Sequence, residues 1–275
     1  MKYPYGREIL ITGASSGLGR AAAETFARTG YTVWGVSRRA TDGCEPIGSG
    51  CIHTLKMDVC DEASVACALA EITSRGGDPG IVLHCAGFGI GGAAEDTPIA
   101  DAQAQLDTNF FGVLRVNRAV MPRLRARGNG LVLLVGSVAG LIPIPYQGHY
   151  SASKFALEAY GEALRMEARP CGVRVCLLEP GDTKTGFTAG RRLCIPEDSP
   201  YERSCRASVR KMERDEQNGA PPEQFARVAL RMSERRHPPV RRVIGLGYRA
   251  LVLVKRLLPA RTAEWVLSRL YIPKG

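Results

Sequence analysis

The stretch Thr12-Gly13-Ala14-Ser15-Ser16-Gly17-Leu18-Gly19 constrains this chain more than any other feature, because of what lies on either side of it. Glu8-Ile9-Leu10-Ile11 is a short apolar run of the kind buried in a parallel sheet, and Arg20-Ala21-Ala22-Ala23-Glu24-Thr25-Phe26-Ala27 reads as helix. Strand, glycine turn and helix together make a phosphate-binding arrangement. Glycines let the backbone turn tightly and let a pyrophosphate come close, while free amides and the helix dipole favour its charge. Gly13, Ser15, Ser16, Gly17, Leu18 and Gly19 are therefore candidate contacts to a dinucleotide. The spacing G-x-x-x-G-x-G is neither the G-x-G-x-x-G fingerprint nor a P-loop, which requires Gly-Lys-Ser/Thr. A ligand-free glycine turn is the competing reading, and the correct flanking strand and helix weigh against it.

The rest of the chain repeats the alternation. Apolar runs at Ile9-Leu10-Ile11, Thr32-Val33-Trp34-Gly35-Val36, Ile81-Val82-Leu83, Leu131-Val132-Leu133-Leu134-Val135 and Val173-Arg174-Val175-Cys176-Leu177-Leu178 are separated by helical stretches. That is the pattern of an α/β protein with a doubly wound parallel sheet covered by helices on both faces. No low-complexity linker or internal repeat divides the 275 residues. A single domain over 1–275 is expected, with substrate loop, helices and last strand in 188–247 and a helical extension in 248–275.

Tyr150 and Lys154, four residues apart in the helical stretch His149-Tyr150-Ser151-Ala152-Ser153-Lys154-Phe155-Ala156-Leu157-Glu158-Ala159, lie on one face. A phenol titrates near pH ~10, so it needs a nearby positive charge to work at neutral pH, and Lys154 offers one. Ser137, thirteen residues upstream of Tyr150, adds a hydroxyl. Y-x-x-x-K alone is weak, since it recurs on solvated helix faces; combined with the glycine turn it is not alone.

In order and spacing, T-G-x-x-x-G-x-G, Asn109, Ser137, Tyr150, Lys154 and Pro180-Gly181-Asp182-Thr183-Lys184-Thr185 resemble the short-chain dehydrogenase/reductase family over about residues 7–187. Gly136-Ser137-Val138-Ala139-Gly140-Leu141 and the stretch from Tyr150 to Glu158 look most like the branch that holds hydroxysteroid and retinol dehydrogenases. The resemblance implies a Rossmann-type fold and alcohol–carbonyl chemistry. It makes Tyr150 the acid-base group, Ser137 the hydrogen-bond donor to the reacting oxygen, and Lys154 the residue that lowers the Tyr150 pKa and holds the nicotinamide ribose. Asn109 would position Lys154 through a water. Ala86, Gly87, Pro180, Gly181, Thr183 and Thr185 would touch cofactor, and Asp58, followed by Val59, resembles the aspartate that caps the adenine. One departure is visible: His84-Cys85-Ala86-Gly87 stands where Asn-Asn-Ala-Gly is usual, which puts the asparagine contacts in doubt.

Cofactor choice is read after the second strand. No carboxylate occurs from Tyr31 through Thr41, and Arg38, followed by Arg39, presents a planar donor fork to a 2′-phosphate. NADP(H) is expected in preference to NAD(H); a merely solvated basic pair is the alternative. Val138, Ile144, Tyr146 and Phe187 supply apolar surface near Ser137, so a large hydrophobic carbonyl or alcohol is expected, such as a steroid, a retinoid or a long-chain compound. His149 either touches that substrate or faces solvent. Two other readings stay open: a reductase of 3-oxoacyl thioesters, and a non-catalytic NADP-binding sensor, which would not need the four catalytic residues.

Nine cysteines without a C-x-x-C pair read as reduced thiols, and four scattered histidines without ligand spacing argue for no metal. With a first strand beginning at Glu8 and no apolar run of ~18 residues, a cytoplasmic protein is expected. Residues 1–187 carry 18 basic and 18 acidic side chains, so the whole net charge of +10 sits in 188–275. No nucleic-acid module accompanies it. The interrupted apolar stripes of 248–258 and 262–271 fit helices that close the pocket or meet a second subunit of a homodimer or homotetramer; peripheral attachment to an anionic membrane is the alternative.

Overall fold

The computed structural model describes residues 3–272. Its strands are β1 (Glu8–Thr12), β2 (Thr32–Ser37), β3 (Gly43–Ile47), β4 (Gly50–Lys56), β5 (Ile81–His84), β6 (Ile90–Gly92), β7 (Gly130–Val135), β8 (Val173–Pro180), β9 (Arg192–Cys194) and β10 (Arg241–Ile244). The helices are α1 (Gly17–Arg28), α2 (Glu62–Ser74), α3 (Ile99–Leu106), α4 (Gly112–Ala126), α5 (Gly148–Ala168), α6 (Glu202–Gln217), α7 (Pro222–Ser233), α8 (Leu246–Leu257) and α9 (Ala260–Tyr271).

Side chains alternate across a strand, and in β1 that alternation sets the layers. Ile9 and Ile11 face one side, against Phe26 of α1 and Phe225 of α7. Leu10 faces the other, in the layer that holds Ile72 of α2, Val116 of α4 and Leu157 of α5. Burial on both faces is why the central strands read as continuous apolar runs, each large side chain contributing about 1.5–3 kcal/mol of transfer free energy.

Eight strands form one sheet in the order β10, β8, β7, β5, β1, β2, β4, β3, with β6 and β9 paired separately. Within the sheet every pairing is parallel except β3 with β4. From β1 the chain builds outward through β2 and β4, then returns to β5 and builds the other way. The crevice at that reversal is where such sheets bind ligands, beyond the carboxyl ends of the strands.

The five strands anticipated from apolar runs all form, and β10 falls within 188–247. The anticipated extension begins at Leu246, and Pro259 at the start of α9 separates its two helices. β3 and β4 were not anticipated. They lie at the outer edge of the sheet, where Glu45, His53 and Lys56 break the apolar pattern. Leu267 of α9 packs against Val138 and Ile142, while Leu246, Leu253, Leu257 and Trp265 face outward. Among the described residues no helix is long and apolar enough to cross a membrane.

Candidate active site

The carboxyl ends of β1, β2, β5, β7 and β8 open onto one cavity of about 430 Å³. Every glycine-turn residue anticipated as a contact lines it: Gly13, Ser15, Ser16, Gly17, Leu18 and Gly19. Gly13 has φ +69, and a Cβ there would stand 2.8 Å from the Ala86 nitrogen; a Cβ on Gly19 would overlap the Gly13 carbonyl oxygen. Ser16 caps α1 without a side-chain hydrogen bond, and no acidic residue occupies the first turn. The leading amides of α1 are thus open to an anion.

At the end of β2, Arg38 and Arg39 are exposed on the cavity wall, and the Ser37 hydroxyl, also on the wall, is buried without a partner. Arg38 and Arg39 offer donors on that wall. Asp58 and Val59 line the neighbouring wall. Asp58 is fixed there, its carboxylate accepting from the Cys60 amide at 3.0 Å and its own amide donating to Ser64 Oγ at 2.9 Å. Ala86, Gly87, Pro180, Gly181, Thr183 and Thr185 complete the cleft. This set of donors fits a nicotinamide dinucleotide: the α1 amides for the pyrophosphate, the end of β2 for the adenosine ribose.

Ser137, Tyr150 and Lys154 meet on the same wall. Ser137 Oγ accepts from the Ala139 amide at 3.1 Å, capping a short 3-10 turn, so its hydrogen stays available to a ligand oxygen. Lys154 Nζ donates to the Val135 carbonyl at 2.8 Å, at the end of β7, and stands 5.8 Å from the Tyr150 ring centroid. Burial, only partly opposed by the Ser137 hydroxyl, pushes the Tyr150 phenol up to about 12, and burial pulls Lys154 down to about 8. Burial is thus the largest influence on both groups.

Asn109 does not line the cavity. It sits in a π-helical turn, Asp107–Phe111, between α3 and α4, which turns its side chain inward. Its oxygen accepts from the Phe88 amide at 3.0 Å; its nitrogen donates to the Phe88 carbonyl at 3.0 Å and Ser153 Oγ at 3.1 Å. Asn109 thus ties the loop after β5 to α5 at Ser153, the residue before Lys154.

Several neighbours were missed by sequence reading. Glu179, wholly buried in β8, accepts from the Ser137 amide at 2.6 Å and so holds the turn that carries the hydroxyl. Its pKa lies well above the carboxylate range, first through burial and then through Glu158. Glu179 Oε1 and Glu158 Oε1 both lack partners, and one shared proton satisfies both. A glutamate ending the apolar run before Pro180 was the available signal. His84 and Cys85, which replace the usual asparagines, diverge. His84 is buried against Asn117 Oδ1 at 2.9 Å and held neutral, near 4, by desolvation, while Cys85 lines the cavity as a thiol that burial raises to about 12.

At the substrate end, Val138, Ile144 and Phe187 line the cavity, with the Phe187 ring 5.7 Å from that of Tyr150. Tyr146 and His149 do not. Tyr146 adopts φ +60, which directs its hydroxyl to Ser204 at 2.7 Å, and His149 lies 3.4 Å from the Ala94 carbonyl. Nor is the wall wholly apolar. Gln147 and Glu216 line it, with Tyr248 of α8 and Tyr271 of α9. Away from the cavity, Cys44, Cys51 and His53 come together on the β3–β4 hairpin, their ligand atoms within 4.8 Å of one another, a grouping that residue spacing did not reveal.

A family model described as short chain dehydrogenase matches residues 7–193. The chain is 36% identical over 266 residues to a 3-ketodihydrosphingosine reductase of Bacteroides thetaiotaomicron, covering 96% of this chain and 97% of that one. It is 31% identical over 287 residues to retinol dehydrogenase 8 of Bos taurus, covering 96% and 91%. A short-chain dehydrogenase structure from Streptomyces avermitilis superposes with a TM-score of 0.79 at 26% identity, over 96% of this chain and 95% of that one. On this family match and these relatives, the chain belongs to the short-chain dehydrogenase/reductase family and is an NAD(P)-dependent oxidoreductase.

Proposed function

We propose that this enzyme interconverts a ketone and a secondary alcohol on a bulky hydrophobic substrate, using NADP(H) in preference to NAD(H). One observation carries the reading: the Ser137 hydroxyl, the Tyr150 phenol and the Lys154 ammonium converge on a cavity whose other end presents open α1 amides and Arg38. The nicotinamide cofactor supplies or accepts hydride at the reacting carbon. Tyr150 gives a proton to the carbonyl oxygen in reduction and removes it from the alcohol in oxidation. Ser137 donates a hydrogen bond to that oxygen as charge develops on it. Lys154 holds the cofactor ribose. Asn109 positions Lys154 by fixing the loop after β5 against α5.

Among bulky carbonyls, a long-chain ketone is best supported, because the 36% relative is named for reducing 3-ketodihydrosphingosine. A retinoid is the second reading, on the 31% identity to a retinol dehydrogenase. Helices α8 and α9 close the substrate end through Tyr248 and Tyr271, and their outward apolar side chains meet a second subunit. Free thiols at all nine cysteines suit the cytoplasm. The test is NADPH oxidation by the purified protein with long-chain ketones and retinal in parallel. Turnover of a long-chain ketone with product alcohol supports the reading, and turnover of retinal alone shifts it to the retinoid.

A further inference from the structure

The substrate end of the cavity carries a polar device that carbonyl chemistry does not use. Glu216, at the last turn of α6, lines the cavity, and its side chain is 13% exposed. Its Oε1 is paired with Arg191 Nη2, and its Oε2 accepts from the Thr188 hydroxyl. The Arg191 side chain is 1% exposed. The Gln147 amide is satisfied with its oxygen toward Arg191, 3.2 Å from Nε and 3.3 Å from Nη2. Gln147 lines the cavity, and that orientation leaves its NH2 group as a donor on the wall.

Three segments distant in sequence thus spend four polar side chains in a partly apolar pocket. Burying such a set is costly, and replacing a buried ion pair by apolar residues is often neutral or stabilising, so stability alone gives weak reason for it. A carboxylate with both oxygens already oriented retains free lone pairs and is fixed in direction, which is how a wall reads a donor on a ligand. Glu216 is also near the chemistry: its partner Arg191 stands 5.9 Å from the centroid of the Phe187 ring, and that ring lies 5.7 Å from the Tyr150 ring.

Resting on the reading of the enzyme as a long-chain ketone reductase, we propose that Glu216, braced by Arg191 and Thr188, binds an ammonium group on the carbon next to the reacting carbonyl. Gln147 donates to an oxygen of the same headgroup. The substrate is then an α-amino ketone with a long apolar tail. The headgroup is held between Glu216 and Ser137, and the tail leaves past Phe187.

The test compares three ketones of equal chain length with NADPH and the intact protein: the α-amino ketone, its N-acetyl derivative and the ketone without nitrogen. The amino ketone is expected to show a kcat/KM about 10- to 100-fold above both others, the range for a hydrogen bond to a charged group. Glu216→Gln is expected to bring that ratio close to one. Equal kcat/KM for all three in the parent protein overturns the subsite. The ligand series itself needs no variant, so it decides the matter even where Glu216→Gln fails to fold. If no ketone turns over, the reductase reading fails separately. Calorimetric titration of the NADP+-loaded protein with a long-chain amino alcohol and the matching plain alcohol then tests the subsite alone: tighter binding of the amine supports it, and equal binding overturns it.

Discussion

Lys154 lies 5.8 Å from the centroid of the Tyr150 ring, its ammonium anchored on the Val135 carbonyl at 2.8 Å. Both side chains line the cofactor cleft, and burial drives both toward their neutral forms, Tyr150 to about 12 and Lys154 to about 8. Neutral phenol is the form that can give a proton to a carbonyl, which suits reduction.

Lys154 is charged below about pH 8 and neutral above, because burial penalises its ammonium. Cofactor binding that uses the charge should therefore weaken as pH rises through about 8. NADPH titrations across that range are expected to show the decline in the parent protein. In Lys154→Ala, binding should be weaker throughout and flat with pH; a parallel decline in the variant would assign the pH dependence to another group.

Arg38→Ala is expected to weaken NADPH binding by about 1.5–3 kcal/mol, the range for hydrogen bonds to a charged group, and to leave NADH nearly unchanged. Paired titrations check this. Equal losses for both cofactors would make Arg38 a structural residue.

The glycine turn, Arg38, Ser137, Tyr150 and Lys154 were legible in sequence because each is a local pattern or a fixed spacing on one element, and the parallel sheet delivers strand ends to one crevice. What was not legible depends on distant contacts. Tyr146 looked like pocket surface beside Ile144, yet its left-handed φ of +60 sends the ring to Ser204. The wall of Gln147, Arg191 and Glu216 comes from the start of α5, a loop and the end of α6, which no spacing links. The burial of Tyr150 and Lys154, which sets the direction of both pKa shifts, is likewise invisible in sequence.

Glu179 offers a second pH test. Its folded pKa is raised well above 4.5, chiefly by burial, so between that value and the folded pKa the native state keeps a proton that the unfolded chain releases. Stability from this group is present below the unfolded pKa and is lost as pH rises through the folded one. Glu179→Gln removes the titration and keeps an acceptor for the Ser137 amide. Urea unfolding is expected to show the variant gaining on the parent as pH rises from ~4.5 toward neutrality. A constant difference would mean Glu179 is ionised in the fold.

Truncation after Gly247 removes Leu267 from Val138 and Ile142, and Tyr248 and Tyr271 from the cavity wall. The shortened protein is expected to bind NADPH while losing solubility or showing a raised KM for bulky ketones. Co-sedimentation of the full chain decides what covers Leu253, Leu257 and Trp265. A dimer that stays in the supernatant supports a subunit contact. Pelleting with anionic vesicles at low salt, reversed by salt, identifies a membrane contact instead.

Tyr150 carries the central claim, and NADPH consumption in the presence of a long-chain ketone, measured for the parent protein and Tyr150→Phe, tests it most directly. The substitution deletes only a hydroxyl, so the variant is expected to fold and to bind NADPH as the parent does. Its turnover is expected to fall at least ~100-fold, the scale of general acid-base catalysis. Turnover near the parent's by a folded, NADPH-binding variant would contradict the account and remove Tyr150 from the reaction.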